Sequence, residues 1–335
     1  MGDQLAVRKL KTYTHFGAQR RMPSEYEVVS SRLHYHYPHK FELPARGNPV
    51  VAWYYKHREG SRLQAEDWDA FRDPRRTTYR GYNERQNAKE TVIDGLLREI
   101  DETGYDSSLS EEWLQFLHRW YGPLRYPVHG LQMVAAYVAQ MAPASTLTIC
   151  ESFQAADEMR RLQRIVYRSV QLDKHRGGLP TVDHQRFWEE ADAFQPMREL
   201  IERLLIAYDF GEAFVALNLV VKPHLDRLIN EELAGALAAA NGDSLLRDIH
   251  FSLNEDAVWH REFGAELARM VVGDTAENAD VISEWVDVWR PRTEAAVEAF
   301  SAVLEAAPVP LSADAAVGRV STAALADSRI VLPVT

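Results

Sequence analysis

Apolar residues recur at three- to four-residue steps along most of the chain, most clearly between Tyr126 and Val170. There Leu147, Cys150, Phe153, Met159, Leu162, Ile165 and Val166 form one stripe of a long helix, and that stripe must be buried. Pro143 starts this helix, which is expected to run to about residue 171. Related periods predict helices over residues 75–100, 109–121, 129–141, 197–221, 224–240 and 244–272, with a last pair over 281–289 and 293–304 broken at Pro291. Residues 1–72 hold scattered Pro and Gly and many aromatics with no sustained period, which predicts an extended arm with short helical pieces. Its Tyr26, Trp53, Tyr54 and Trp68 are costly to leave in water, so the arm either docks on a partner or folds back on its own bundle. The tail beyond Ala306 shows no amphipathic order, so it is expected to be either mobile or spread along another surface. The expected layout is an all-α chain: arm 1–74, helical domain 75–305 and tail 306–335.

The polar edge of the long helix changes the picture. Glu158 and Arg161 are one turn apart on a shared face, where a four-helix diiron bundle carries a Glu-x-x-His pair. A guanidinium stays charged and offers no lone pair, so Arg161 cannot be a ligand. Downstream, His260 could face the same core, but the residue three before it is Ala257. Each pair is half present, as in a metal-bundle frame without its metal. Glu212 is the one nearby carboxylate that could approach the bundle centre, although the apolar residues around it favour a cap or helix-contact role. The strip His34, His36, His39 would converge imidazoles on an extended segment, yet no carboxylate or thiolate accompanies it at ligand spacing, which favours an aromatic contact strip.

The 335 residues, 46% of them hydrophobic, suffice for a sizeable core. The 49 Asp and Glu exceed the 38 Lys and Arg, giving a formal charge of -11, which disfavours a nucleic-acid partner. A single cysteine, Cys150, excludes an internal disulfide and fits a reducing compartment. No apolar stretch approaches the roughly 20 residues that cross a bilayer, and no secretory leader is evident, so a cytoplasmic location is expected. Gly-rich phosphate loops, Cys-x-x-Cys pairs, nucleophile elbows and His-Glu-x-x-His are absent.

Longer words carry a resemblance. Lys11-Thr-Tyr-Thr-His, Arg21-Met-Pro-Ser-Glu-Tyr-Glu-Val-Val-Ser30, Pro123-Leu-Arg-Tyr126, Leu131-Gln-Met133, Gln140-Met-Ala-Pro-Ala-Ser145 and Asp209-Phe-Gly-Glu-Ala-Phe-Val-Ala-Leu-Asn-Leu-Val-Val-Lys-Pro223 resemble the hydroxylase β subunits of bacterial multicomponent monooxygenases, in the toluene and alkene branch. The resemblance implies a ferritin-like helical bundle within a dimer of αβγ units. In that family the α subunit holds the diiron centre and oxidises aromatic hydrocarbons or alkenes with O2. Electrons come from NADH through a reductase and a Rieske ferredoxin, and an effector protein regulates turnover. The resemblance thus implies no catalytic, cofactor-binding or metal-ligating residue in this chain, with diiron expected in α. The alternative is an autonomous ferritin-like diiron oxidase with an unusual ligand set, for which Glu158, His260, Glu212 and a further carboxylate would have to converge.

Overall fold

A computed structural model describes residues 23–30, 48–174 and 183–331. His34, His36 and His39 lie outside the described residues, as do the first two family words apart from their stretch at 23–30. Among the described residues the secondary structure is helical throughout.

Two short helices belong to the arm, α1 Glu25–Ser30 and α2 Pro49–Tyr54. Both fold back on the bundle. Tyr26 is buried and its hydroxyl accepts the Asp73 N–H at 2.9 Å, while Ser61 Oγ donates to Asp209 at 2.7 Å and Leu63 and Phe71 enter the core. Helix α3, Tyr79–Thr103, opens where Thr78 accepts the Gly81 N–H and closes on Gly104 at φ 67°, a left-handed cap that glycine adopts without strain. It buries only Ile93 and Leu97, which pack on Leu245, Ile249 and Leu253. Ser110 caps α4, Glu111–Phe116, by accepting the Trp113 N–H, and Glu111 and Glu112 sit at the positive helix end.

The centre is built from two antiparallel hairpins. In the first, α5 (Arg125–Met141) and α6 (Ser145–Lys174) are separated by Ala142, Pro143 and Ala144. After α7 (His184–Glu190) and α8 (Gln195–Leu204), the second hairpin begins with a rod from Phe210 to Ala240. The rod comprises α9 (Phe210–Phe214), α10 (Lys222–Asp226) and α11 (Ala238–Ala240), joined by wide π turns at Val215–Val221 and Arg227–Leu237. It turns at Gly242, φ 78°, into α12, Ser244–Asp274, capped by Asp243. Helix α13, Ala276–Ser301, covers the rod and α8, and α14, Ala313–Val331, lies across α12, α13 and the rod.

Three expectations need correction. The helix expected over 197–221 breaks after Leu204, because Asp209 caps a new start by accepting the Glu212 N–H. Pro291 does not divide the last pair; it lies inside one continuous helix, α13. The tail does have amphipathic order over 313–331 and, of the two arrangements expected, lies along a surface of the bundle: Ala316, Val320 and Ala324 recur every four residues and are buried, while Arg319 forks onto Glu232 at 2.8 and 2.6 Å. An Ala-Val ridge is only weakly apolar, so the period is easy to overlook.

Candidate functional site

The inward face of α6 carries Glu151, Gln154, Glu158 and Arg161, a polar stripe within an apolar bundle. Facing it, the rod presents Asn218, Lys222 and Asp226 at four-residue steps, and α12 presents Ala257 and His260. All nine are buried, so each polar group must find a partner or remain a cost.

Four of them form a closed set. Lys222 Nζ donates to Glu158 Oε1 and stands 3.0 Å from Asp226 Oδ2. Arg161 Nη1 donates to Asp226 Oδ1 at 2.6 Å and lies 3.5 Å from Glu158 Oε2. Two anions and two cations thus sum to zero. Burial alone would raise the Asp226 carboxyl, but Lys222 and Arg161 outweigh it and hold the group well below the usual carboxylate range. Burial likewise opposes the charge on Lys222, and Asp226 and Glu158 reverse the balance. Such a set is sensitive to the loss of any one member, since the survivors keep an uncompensated buried charge.

His260 does not join Glu158. Its Nε2 lies 3.0 Å from Asp157 Oδ2, and burial, reinforced by Lys222, pushes the imidazole down to about 3, so it is neutral. Asp157 also accepts from Tyr82 Oη at 2.7 Å and Gln86 Nε2 at 2.9 Å, and burial, with Asp256 nearby, pushes its carboxyl well up. Nearer the other end of the stripe, Glu151 accepts from Asn218 Nδ2 at 2.8 Å and is pushed up to about 8 by burial. Glu212 stays away from this centre: half-buried on α9, it accepts the Trp289 Nε1–H at 3.1 Å. Ten residues of helix separate it from Lys222, roughly 15 Å along the axis.

Residues 53–275 match the methane/phenol/alkene hydroxylase family. The chain is 37% identical over 307 residues to the hydroxylase component subunit beta of the toluene-4-monooxygenase system of Ectopseudomonas mendocina, covering 90% of this chain and 93% of that one. The chain belongs to the methane/phenol/alkene hydroxylase family. Within this hydroxylase family a second relative is the hydroxylase component small subunit of propane 2-monooxygenase from Rhodococcus jostii (strain RHA1), 24% identical over 73% of this chain and 68% of that one. Among solved structures, a chain of toluene 4-monooxygenase with toluene bound in its resting active site superposes with a TM-score of 0.82 at 36% identity, over 90% of this chain and 99% of that one. A chain of phenol hydroxylase from Pseudomonas sp. OX1 gives 0.80 at 18% identity, over 98% and 96%, which speaks for the fold alone. The fold is the ferritin-like bundle of these hydroxylases.

The hydroxylase frame implies a metal pair, and the residues at the centre do not fit one. An ammonium and a guanidinium stand between the carboxylates, a methyl stands at 257, and among the described residues no group of three or more His, Cys, Asp or Glu could hold a metal ion. The ligand set required for an autonomous oxidase therefore does not converge. Sequence reasoning placed Glu158, Arg161, Ala257 and His260 correctly inside but missed Lys222, Asp226 and Asp157. The available signal was Asn218, Lys222 and Asp226 at four-residue spacing in the most apolar stretch of the chain, which marks a buried polar seam.

Proposed function

We propose that the chain is the non-catalytic β subunit of a hydroxylase that oxidises aromatic hydrocarbons or alkenes with O2, its diiron site lying in a partner α subunit. The observation that carries the reading is the closed Glu158, Arg161, Lys222 and Asp226 set where a ferritin-like bundle would need metal ligands. Similarity over nine-tenths of the chain to a toluene monooxygenase β subunit supports it. The chain's own contribution is mechanical: its bundle, closed at the centre by a charge-neutral set of four side chains, offers a rigid face against which the ligand helices of α keep the narrow tolerance a metal site requires. The residues before 75 are assigned to partner contact as well as to their own bundle, and the assembly to a dimer of αβγ units. That assembly would be served by an effector protein and by NADH-derived electrons through a Rieske ferredoxin and its reductase. No helix of the described residues is long and apolar enough to cross a membrane, which accords with the proposed cytoplasmic location.

Metal analysis of the purified full chain and of its complex with the α and γ subunits tests this. The chain alone is expected to be metal-poor and inactive, and the complex to hold iron and hydroxylate. Near-stoichiometric, tightly held iron in the chain alone overturns the reading.

A further inference from the structure

We infer that Lys222 fills a cation site made by Glu158 and Asp226, and that this one ammonium keeps divalent metal out of the bundle centre. The inference deepens the reading of the chain as a metal-free subunit and rests on it. Two carboxylates from different helices converge on a single Nζ, with side chains 3% and 0% exposed. Glu158 Oε2 and Asp226 Oδ2 have no hydrogen-bond partner and meet only ionic contacts, at 3.5 Å to Arg161 and 3.0 Å to Lys222. Buried oxygens with unused lone pairs, held by a charge rather than by directed donors, are what a bound ion would also satisfy.

The third side of the site is α12. It packs on both α6 and α10, and the buried Nδ1 of its His260 has no partner. The Nε2 of the same ring faces Asp157, the carboxylate-to-imidazole arrangement by which proteins orient a metal-ligating histidine. Without Lys222 the set carries one net negative charge, and a lysine-sized space opens beside two carboxylates. Oxygen and nitrogen donors around such a space suit one divalent ion. Arg161, still bonded to Asp226 Oδ1, leaves no room for a second.

Full-length wild type, Lys222→Ala and Lys222→Ala/Glu158→Gln, each titrated with Co(II) and followed by calorimetry and visible absorption, provide the test. Lys222→Ala is expected to bind Co(II) at least tenfold more tightly than wild type and to show the absorption of bound Co(II), and the added Glu158→Gln to remove both. A folded Lys222→Ala that binds no better than wild type overturns the inference, as does a double variant that binds equally well. Lys222→Gln, which keeps a hydrogen-bonding group in place, is read in the same way if the alanine variant does not fold. Failure of both to fold with Co(II) present also counts against the site, because the metal should replace the missing charge. Tight metal in wild type would instead remove the scaffold reading, so the two failures are distinguishable.

Discussion

Two charged seams flank α6, and they differ in depth rather than in chemistry. On the inner side Glu158, Arg161, Lys222 and Asp226 are 0 to 4% exposed and close on one another. On the outer side α3 is latched by Arg160 and Arg164. Arg160 donates to Glu90, to Asp256 at 2.8 Å and to Ser252 at 2.8 Å, while Arg164 pairs with Glu90 and, at 2.8 Å, with Asp94, which is 57% exposed. Helix α3 has little apolar area to add, since only Ile93 and Leu97 are buried. At its Arg164 end the outer seam can exchange its partners for water and the inner one cannot, so ion pairs of similar geometry should differ several-fold in what their loss costs, with the buried Arg160 in between.

The sharpest way to break that comparison is Asp226→Ala, which strands Lys222 and Arg161 with one carboxylate. It is expected to lower unfolding stability by about 3–5 kcal/mol, read from denaturant midpoints. Replacing all four residues together, as Glu158→Leu, Arg161→Met, Lys222→Met and Asp226→Leu, should cost far less than the single change, because no charge is left unpaired. If the quadruple variant proves the weaker of the two, the inner seam stabilises outright and desolvation does not dominate it.

Glu151 extends the contrast to pH. Its folded pKa of about 8 lies above the ordinary 4.5, so its contribution is whole below about pH 4.5 and is lost as pH rises through about 8. Each pH unit between the folded and ordinary values corresponds to roughly 1.4 kcal/mol. Glu151→Gln, which stays neutral, should therefore gain on wild type as pH rises from 5 to 8.5; parallel stability curves would mean that Glu151 ionises freely inside the fold.

On the outer seam, Arg160→Ala removes three hydrogen bonds from a nearly buried guanidinium and is expected to cost about 2–3 kcal/mol. Arg164→Ala should cost under about 1 kcal/mol, because water takes over at Asp94 and Glu90. Hydrogen exchange on α3 would show whether Arg160 alone sets its local opening.

The depth difference also explains what was legible in the residues. Period alone put Glu158, Arg161, Ala257 and His260 inside, because each sits at helical spacing from apolar neighbours. Lys222 shares that spacing, but a lysine beside Pro223 also reads as a solvated helix boundary, and its partner Glu158 is 64 residues away. Asp157 and Asp256 drew no reading, because their partners, Tyr82, Gln86 and Lys89, come from a distant and mostly polar helix. The pattern shows which face is buried, but charge pairing between distant helices is a property of the packed state. The C-terminal helix escaped for the opposite reason, since its ridge of Ala316, Val320 and Ala324 is too weakly apolar to stand out.

The smallest expected effect is also the most discriminating. From the sequence, Arg161→His with Ala257→Glu completes two Glu-x-x-His pairs, one at 158 and 161 and one at 257 and 260, and so should draw in metal. The structure gives a different expectation, because Lys222 Nζ remains bonded to Glu158 and beside Asp226 while the variant loses a cation and gains an anion elsewhere. Co(II) affinity should stay within about twofold of wild type, a difference below about 0.4 kcal/mol. Thermal stability should fall, since Asp226 loses its hydrogen-bonded guanidinium and keeps Lys222 and the more distant Arg261. Tight Co(II) binding by this variant would mean that the ammonium yields its place to a metal ion, and that the inner seam is less closed than its burial implies.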